Sequence, residues 1–199
     1  MDIVIVSGFL GSGKTTLISH GLDYFREIGK SFALIVNEIG ASGVDNFYFG
    51  QSGCHMREIL GGCMCCTSAP AFGRALVDIR DMYNPDIVLI EPSGIANPRQ
   101  IKSAVLETRK ENDTIFSLTL LDSERIDLIL DAVHTLTADS VEMADRVVIT
   151  KIDIADPEGI DTAISFVQKY NPDADIVQAS LVGSPVPGLM EEVFPCRRI

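Results

Sequence analysis

The sequence predicts an α/β fold of three layers, a mostly parallel sheet with helices on both faces. Three observations carry this. Strand-like and helix-like patterns alternate along the 199 residues. Several strand runs are continuously apolar, as expected of strands covered on both sides. A glycine-rich loop joins the first strand to the first helix, at the edge where ligands bind in such sheets.

The strand runs are Asp2–Ser7, Ser31–Asn37, Asp86–Glu91, Thr114–Asp122, Arg146–Thr150 and Asp175–Gln178. Helical periodicity fills the intervals at Lys14–Ile28, Pro70–Tyr83, Pro98–Arg109, Ser123–Leu136 and Pro157–Tyr170, with a short last helix through Gly188–Phe194. This alternation implies right-handed crossovers and a single domain over residues 1–199. The stretch Gly40–Gly62 is the least regular.

Composition narrows the function classes. Hydrophobic residues make up 46% and charged residues 22%, close to the globular average, which excludes a disordered chain. The net charge of -12 repels phosphate backbones and anionic lipid, so neither nucleic acid nor a membrane surface is expected as a partner. Met1-Asp2 opens a strand-like run without the basic start and apolar segment of a secretory signal, so a cytoplasmic location is expected. Four of the five cysteines fall between Cys54 and Cys66, and an odd count in a reducing compartment points to metal binding or redox chemistry.

Gly8-Phe9-Leu10-Gly11-Ser12-Gly13-Lys14-Thr15-Thr16 satisfies the Walker A pattern between a strand and a helix. Glycines at 8, 11 and 13 let the backbone curl so that N–H groups point at phosphate oxygens, and the helix N-terminus adds its positive end. Ser12 and Thr16 belong to the same phosphate-binding run. Lys14 can reach the β- and γ-phosphates, and Thr15 can ligate Mg²⁺. The fold class is therefore the P-loop NTPase type.

Such an enzyme also needs a carboxylate at a strand end to hold Mg²⁺. Two strands end this way, in Asn37-Glu38 and in Glu91. Glu91 leads into Pro92-Ser93-Gly94, where the Gly94 N–H could sense a γ-phosphate. Glu38 precedes Ile39-Gly40, which suits a switch loop. No arginine stands in an obvious finger position, so slow intrinsic hydrolysis is expected.

Thr150-Lys151-Ile152-Asp153 looks like the guanine-reading tetrad Asn-Lys-x-Asp with Thr in the first place. Asp153 would accept from the guanine N1–H and amino group, and the Lys151 stem would cover the ring. Ala179-Ser180 fits the later loop whose backbone faces guanine O6. The position of the tetrad, about 60 residues beyond Glu91, favours GTP over ATP.

Gly61-Gly62-Cys63-Met64-Cys65-Cys66-Thr67 places three thiols within four residues, enough to put two or three soft ligands on one ion. His55 and Cys54 are candidates for a further ligand. In the order of these motifs the chain resembles the CobW/HypB/UreG family of metal-handling GTPases, specifically its CobW-like branch. The resemblance is carried by Gly8–Thr16, Asn37-Glu38-Ile39-Gly40, Gly43-Val44-Asp45, the Gly-Gly-Cys-x-Cys-Cys run, Glu91-Pro92-Ser93-Gly94 and Thr150-Lys151-Ile152-Asp153.

It implies a GTP-hydrolysing metallochaperone or cofactor-insertion protein in which GTP/GDP and Mg²⁺ control binding of Zn²⁺, Co²⁺ or Ni²⁺ by Cys63, Cys65 and Cys66. The client would be a metalloenzyme or a corrinoid protein, and a homodimer is compatible with the family. Ala41 departs from the glutamate usual in that branch. Two other readings stay open: a GTP-dependent regulatory switch with structural or redox cysteines, and a P-loop small-molecule kinase. The scarcity of clustered basic residues weighs against the kinase.

Overall fold

The computed structural model describes residues 1–36, 55–58, 69–94 and 96–194. The strands are β1 (Asp2–Gly8), β2 (Phe32–Val36), β3 (His55–Glu58), β4 (Ile87–Glu91), β5 (Thr114–Asp122), β6 (Arg146–Thr150) and β7 (Asp175–Ala179). They form one sheet in the order β3-β2-β4-β1-β5-β6-β7. Every described pairing is parallel, so the sheet anticipated as mostly parallel is parallel throughout its described part. The helices are α1 (Lys14–Glu27), α2 (Ala69–Tyr83), α3 (Pro98–Thr108), α4 (Ile126–Glu142), α5 (Pro157–Tyr170) and α6 (Leu189–Val193).

Alternate residues of the apolar strands serve opposite layers. Val4 and Val6 of β1 pack with Leu17, Ile18, Leu22 and Phe25 of α1 and Val193 of α6. Ile3 and Ile5 pack on the other face with Phe72, Leu76 and Ile79 of α2 and Ile101 and Val105 of α3. Both sets are buried, which is why β1 reads as a continuous apolar run instead of an alternating one. Farther along the sheet, Leu121 and Val147 pack with Val141 of α4 and Phe166 and Val167 of α5. Phe194 stacks edge-on against Phe25 at 5.1 Å, and a Cβ on Gly21 would lie 2.7 Å from its ring. Glycine at 21 is what lets the chain after α6 close over α1.

Two features differ from expectation. β3 is a seventh strand, pairing His55–Glu58 with Ala33–Val36 at the sheet edge. Four residues, His-Met-Arg-Glu, carry no apolar run, and their strand state comes from the β2 ladder beside them. The helix expected at Ser123–Leu136 instead opens with a 3-10 turn at Ser123–Arg125 and continues as α4 to Glu142. Its backbone breaks helical geometry at Val133 (φ -141°, ψ 37°) and then resumes. The polar run beyond Leu136 remains helical because Ala138 and Val141 face the core, and Thr137 and Ser140 keep their hydroxyls bonded back to the Val133 and Leu136 carbonyls.

Helix ends carry their own signals. Asn97 caps α3, its Oδ1 accepting from the Arg99 and Gln100 N–H groups at 3.0 and 3.3 Å, and Asp156 caps α5 through the Gly159 N–H at 2.7 Å. Each is followed by proline at the first helical position. α1 is different: its N-cap is Gly13 in the left-handed region at φ 97°, no side chain caps it, and its first turn holds no acidic residue. The amino end of α1 therefore faces outward at the carboxyl edge of the sheet, beside the ends of β1, β4, β5 and β6.

Candidate functional site

The loop from Gly8 to Gly13 is held through its carbonyl oxygens. Lys14, 8% exposed, folds back and its Nζ donates to Gly8 O at 2.9 Å and Phe9 O at 3.2 Å. The Ser12 N–H donates to Phe9 O at 3.1 Å. Thr150 Oγ1 donates to Ser12 O at 2.9 Å, and Arg125 Nη2 to Leu10 O at 3.2 Å. In a trans peptide the N–H points opposite its carbonyl. Pinning the carbonyls of residues 8, 9, 10 and 12 therefore orients the N–H groups of Phe9, Leu10, Gly11 and Gly13, the arrangement that binds anions. Gly8 cannot be larger, since a Cβ there would stand 2.7 Å from Ser12 Oγ and 2.8 Å from Leu120 O.

The end of β4 meets the start of α1. Glu91, 8% exposed, lies with Oε1 3.4 Å from Thr15 Oγ1, which donates to it. The following turn closes onto the loop: a Cβ on Gly94 would be 3.0 Å from Leu10 N and 3.4 Å from Gly8 O. A cleft runs behind this contact, lined by Gly8, Phe9, Pro92 and Gly94 on one side and Ile129, Val133 and Leu136 of α4 on the other.

The third component comes from β5 and β6. Asp122, fully buried at the end of β5, accepts from Arg125 (Nε 2.8 Å, Nη2 2.5 Å) and pairs with Lys151 Nζ at 2.6 Å. Lys151 adopts the left-handed region at φ 61°, which its ion pair with a buried carboxylate offsets. Ser123 Oγ donates to Thr150 O at 2.7 Å, locking the β5 and β6 ends together.

Thr150 Oγ1 also reaches Leu121 O at 3.2 Å, a second acceptor for the same hydroxyl. This gives a physical reason why threonine serves in the first place of the tetrad: its hydroxyl ties the base loop to Ser12. Asp153 stands exposed at the rim. Ala179 is buried at the end of β7, Ser180 follows it, and Leu181 Cδ1 lies 3.1 Å from where a Gly13 Cβ would be. Thr16 is exposed on the first turn of α1.

The structure thus gathers Gly8, Gly11, Ser12, Gly13, Lys14, Thr15, Glu91, Gly94, Thr150 and Lys151 around one loop. Sequence reasoning missed Asp122, Ser123 and Arg125. A strand ending in Asp with Arg three residues later, at the same sheet edge as the tetrad, was the available signal. Glu38, Ala41, Cys54, Cys63, Cys65, Cys66 and Cys196 lie outside the described residues, as do the stretches 37–40 and 43–45. Among the described residues no group of three or more His, Cys, Asp or Glu is placed to hold a metal ion.

Fold and site together define a P-loop nucleotide-binding protein. The CobW/HypB/UreG nucleotide-binding domain model matches residues 2–178. The zinc chaperone YeiR of Escherichia coli K12 is 33% identical over 180 residues, covering 88% of this chain and 54% of its own. Among solved structures, the hydrogenase maturation factor HypB from Archaeoglobus fulgidus superposes with TM-score 0.70 at 20% identity, covering 96% of this chain and 88% of that one. The Zn(II)-bound YjiA GTPase from E. coli superposes with TM-score 0.67 at 24% identity, covering 96% and 60%. The chain belongs to the CobW/HypB/UreG family, and it spans about half the length of the curated relatives it matches.

Proposed function

We propose that this chain binds GTP with Mg²⁺, hydrolyses it slowly in isolation, and uses the nucleotide cycle to control capture and release of a transition metal. Zn²⁺ leads, because the relatives matched are zinc chaperones by name; Co²⁺ and Ni²⁺ are the other candidates. The client is a metalloenzyme or a corrinoid protein, met in the cytoplasm. Among the described residues no helix is long and apolar enough to cross a membrane.

The observation that carries the nucleotide part is the convergence of three chain segments on one loop: Lys14 from within it, Glu91–Gly94 from β4, and Thr150 from the base tetrad. In this reading Gly8, Gly11, Ser12, Gly13, Lys14, Thr15 and Thr16 hold the phosphates. Asp153 reads the guanine edge, the Lys151 stem covers the ring, and the backbone of Ala179-Ser180 faces O6. The Gly94 N–H meets the γ-phosphate.

The donors fit Mg²⁺, since Thr15 Oγ1 and Glu91 Oε1 are hard oxygens 3.4 Å apart at the helix end. With Glu38 they would hold the ion, which when bound neutralises charge on the phosphate oxygens. Cys63, Cys65 and Cys66 hold the cargo metal. They lie in sequence between Glu38 and Glu91, so a change at either carboxylate is transmitted along the connecting chain.

The test is a titration of Zn²⁺, Co²⁺ and Ni²⁺ into reduced protein, loaded in turn with GDP and with a non-hydrolysable GTP analogue. The expected affinities differ between the two states by roughly 5–150-fold, the range of ordinary site-to-site coupling. Binding is lost in a Cys65→Ser, Cys66→Ser variant. Equal affinity in both states overturns the coupling, and equal affinity for GTP and ATP overturns the base assignment.

A further inference from the structure

Arg125 has no place in the motifs read from the sequence, yet its guanidinium lies on the phosphate loop. Nη2 donates to Leu10 O at 3.2 Å and stands 2.9 Å from where a Gly11 Cβ would be. Asp122, fully buried, grips it from behind through Nε and Nη2. The Leu10–Gly11 peptide needs such a clamp. Leu10 is 67% exposed, and Gly11 holds φ 76°, a value that glycine leaves as readily as it adopts. Without a donor on Leu10 O, this peptide is the one in the loop most free to flip.

We propose that Arg125 is a positioning residue for nucleotide binding: by holding Leu10 O it fixes the Gly11 N–H toward the side of the loop that takes the β- and γ-phosphates. This rests on the nucleotide-binding reading above. Because C=O and N–H of one trans peptide are antiparallel, a donor on the carbonyl sets the direction of the amide. A charged donor also polarises that peptide and strengthens its N–H as a phosphate ligand. Arginine suits the task because its rigid fork bonds Asp122 and Leu10 O at once, which a single ammonium does less well. Removing Arg125 leaves Asp122 paired with Lys151 at 2.6 Å, so the buried carboxylate keeps a counter-ion.

The experiment measures affinities of GDP, a GTP analogue and GMP for wild type, Arg125→Ala and Arg125→Lys, with thermal melting of each. Arg125→Ala is expected to weaken GDP and the GTP analogue by about tenfold, the size of one charged hydrogen bond, and to leave GMP affinity unchanged. Arg125→Lys falls between. Unchanged GDP affinity overturns the proposal. An equal loss for GMP and GDP also overturns it, since a merely structural residue lowers both. Should Arg125→Ala fail to fold, Arg125→Lys keeps the Asp122 pair and must still lower the GDP-to-GMP affinity ratio. Wild type that binds neither GDP nor GMP refutes the nucleotide reading instead, and is thereby told apart.

Discussion

Thr15 and Glu91 are 76 residues apart in sequence, yet the threonine hydroxyl donates to the glutamate Oε1 at 3.4 Å across the mouth of the phosphate loop. The distance is long for a hydroxyl–carboxylate bond. It brings together, at the amino end of α1, the oxygen set that Mg²⁺ prefers. Glu91→Gln keeps the shape and removes the charge. In that variant Mg²⁺ should no longer tighten binding of a GTP analogue, with a loss of about tenfold or more in the Mg²⁺-dependent part, the worth of one charged contact. In EDTA the variant and wild type should bind alike. Calorimetry with and without Mg²⁺ checks this, and a variant that retains the full Mg²⁺ effect removes Glu91 from the site.

Gly94 lies so close to the loop that any side chain is crowded. Its Cβ position is 3.0 Å from Leu10 N, a backbone atom that cannot rotate away. Gly94→Ala should push the turn outward by a few tenths of an ångström. The cost in stability is about 1 kcal/mol, the low end for overpacking. GTP turnover should fall more than GDP affinity, because only the triphosphate has a γ-phosphate for that N–H. Single-turnover kinetics beside GDP binding separates the two, and an equal loss in both assigns Gly94 to packing alone.

The sheet and its layers were legible because both faces are covered, so the central residues of β1, β4 and β6 had to be apolar without alternation. The phosphate loop was legible because its chemistry demands fixed residue types at fixed spacing. β3 was not, since its strand state is imposed by the β2 ladder and leaves no mark in His-Met-Arg-Glu. The continuation of α4 past Leu136 was equally hidden, since Thr137, Asp139 and Ser140 break the apolar pattern while Ala138 and Val141 are the only apolar side chains there to reach the core. Arg125 was missed for a third reason. It acts on a backbone carbonyl 115 residues away, and Leu10 O is the same atom in every residue type.

Thr150 is 1% exposed, and one hydroxyl serves Ser12 O and Leu121 O. Thr150→Val preserves volume and branching while removing the one proton that Ser12 O and Leu121 O share. The expected loss is about 1–3 kcal/mol of stability, the cost of a buried polar group left unsatisfied. Nucleotide affinity should fall with it, because the Ser12–Gly13 peptide loses its anchor. Thr150→Ser, which keeps the donor, should restore most of both. Urea denaturation and GDP binding on the pair decide it. Thr150→Val with wild-type stability and affinity shows that the tie to Ser12 contributes nothing.

Asp86, just before β4, supports the sheet in a pH-dependent way. Its carboxylate accepts from Ser31 Oγ at 2.6 Å and from the Ser31 N–H at 2.8 Å. The hydroxyl bond first, and the backbone bond second, hold its pKa below the ordinary aspartate value of 3.8. A carboxyl whose folded pKa is depressed contributes stability above its unfolded pKa, and loses it as pH falls through the folded one. The contribution is therefore constant from neutral pH down to about pH 4, and disappears below that. Asp86→Ala should lower the melting temperature by a constant amount between pH 5 and 8, with the gap to wild type closing under more acid conditions. Because the group is solvent-exposed the gap is small, and its pH profile carries the information. A gap that persists unchanged below pH 3 would mean that the alanine costs packing, and that the carboxylate charge plays no part.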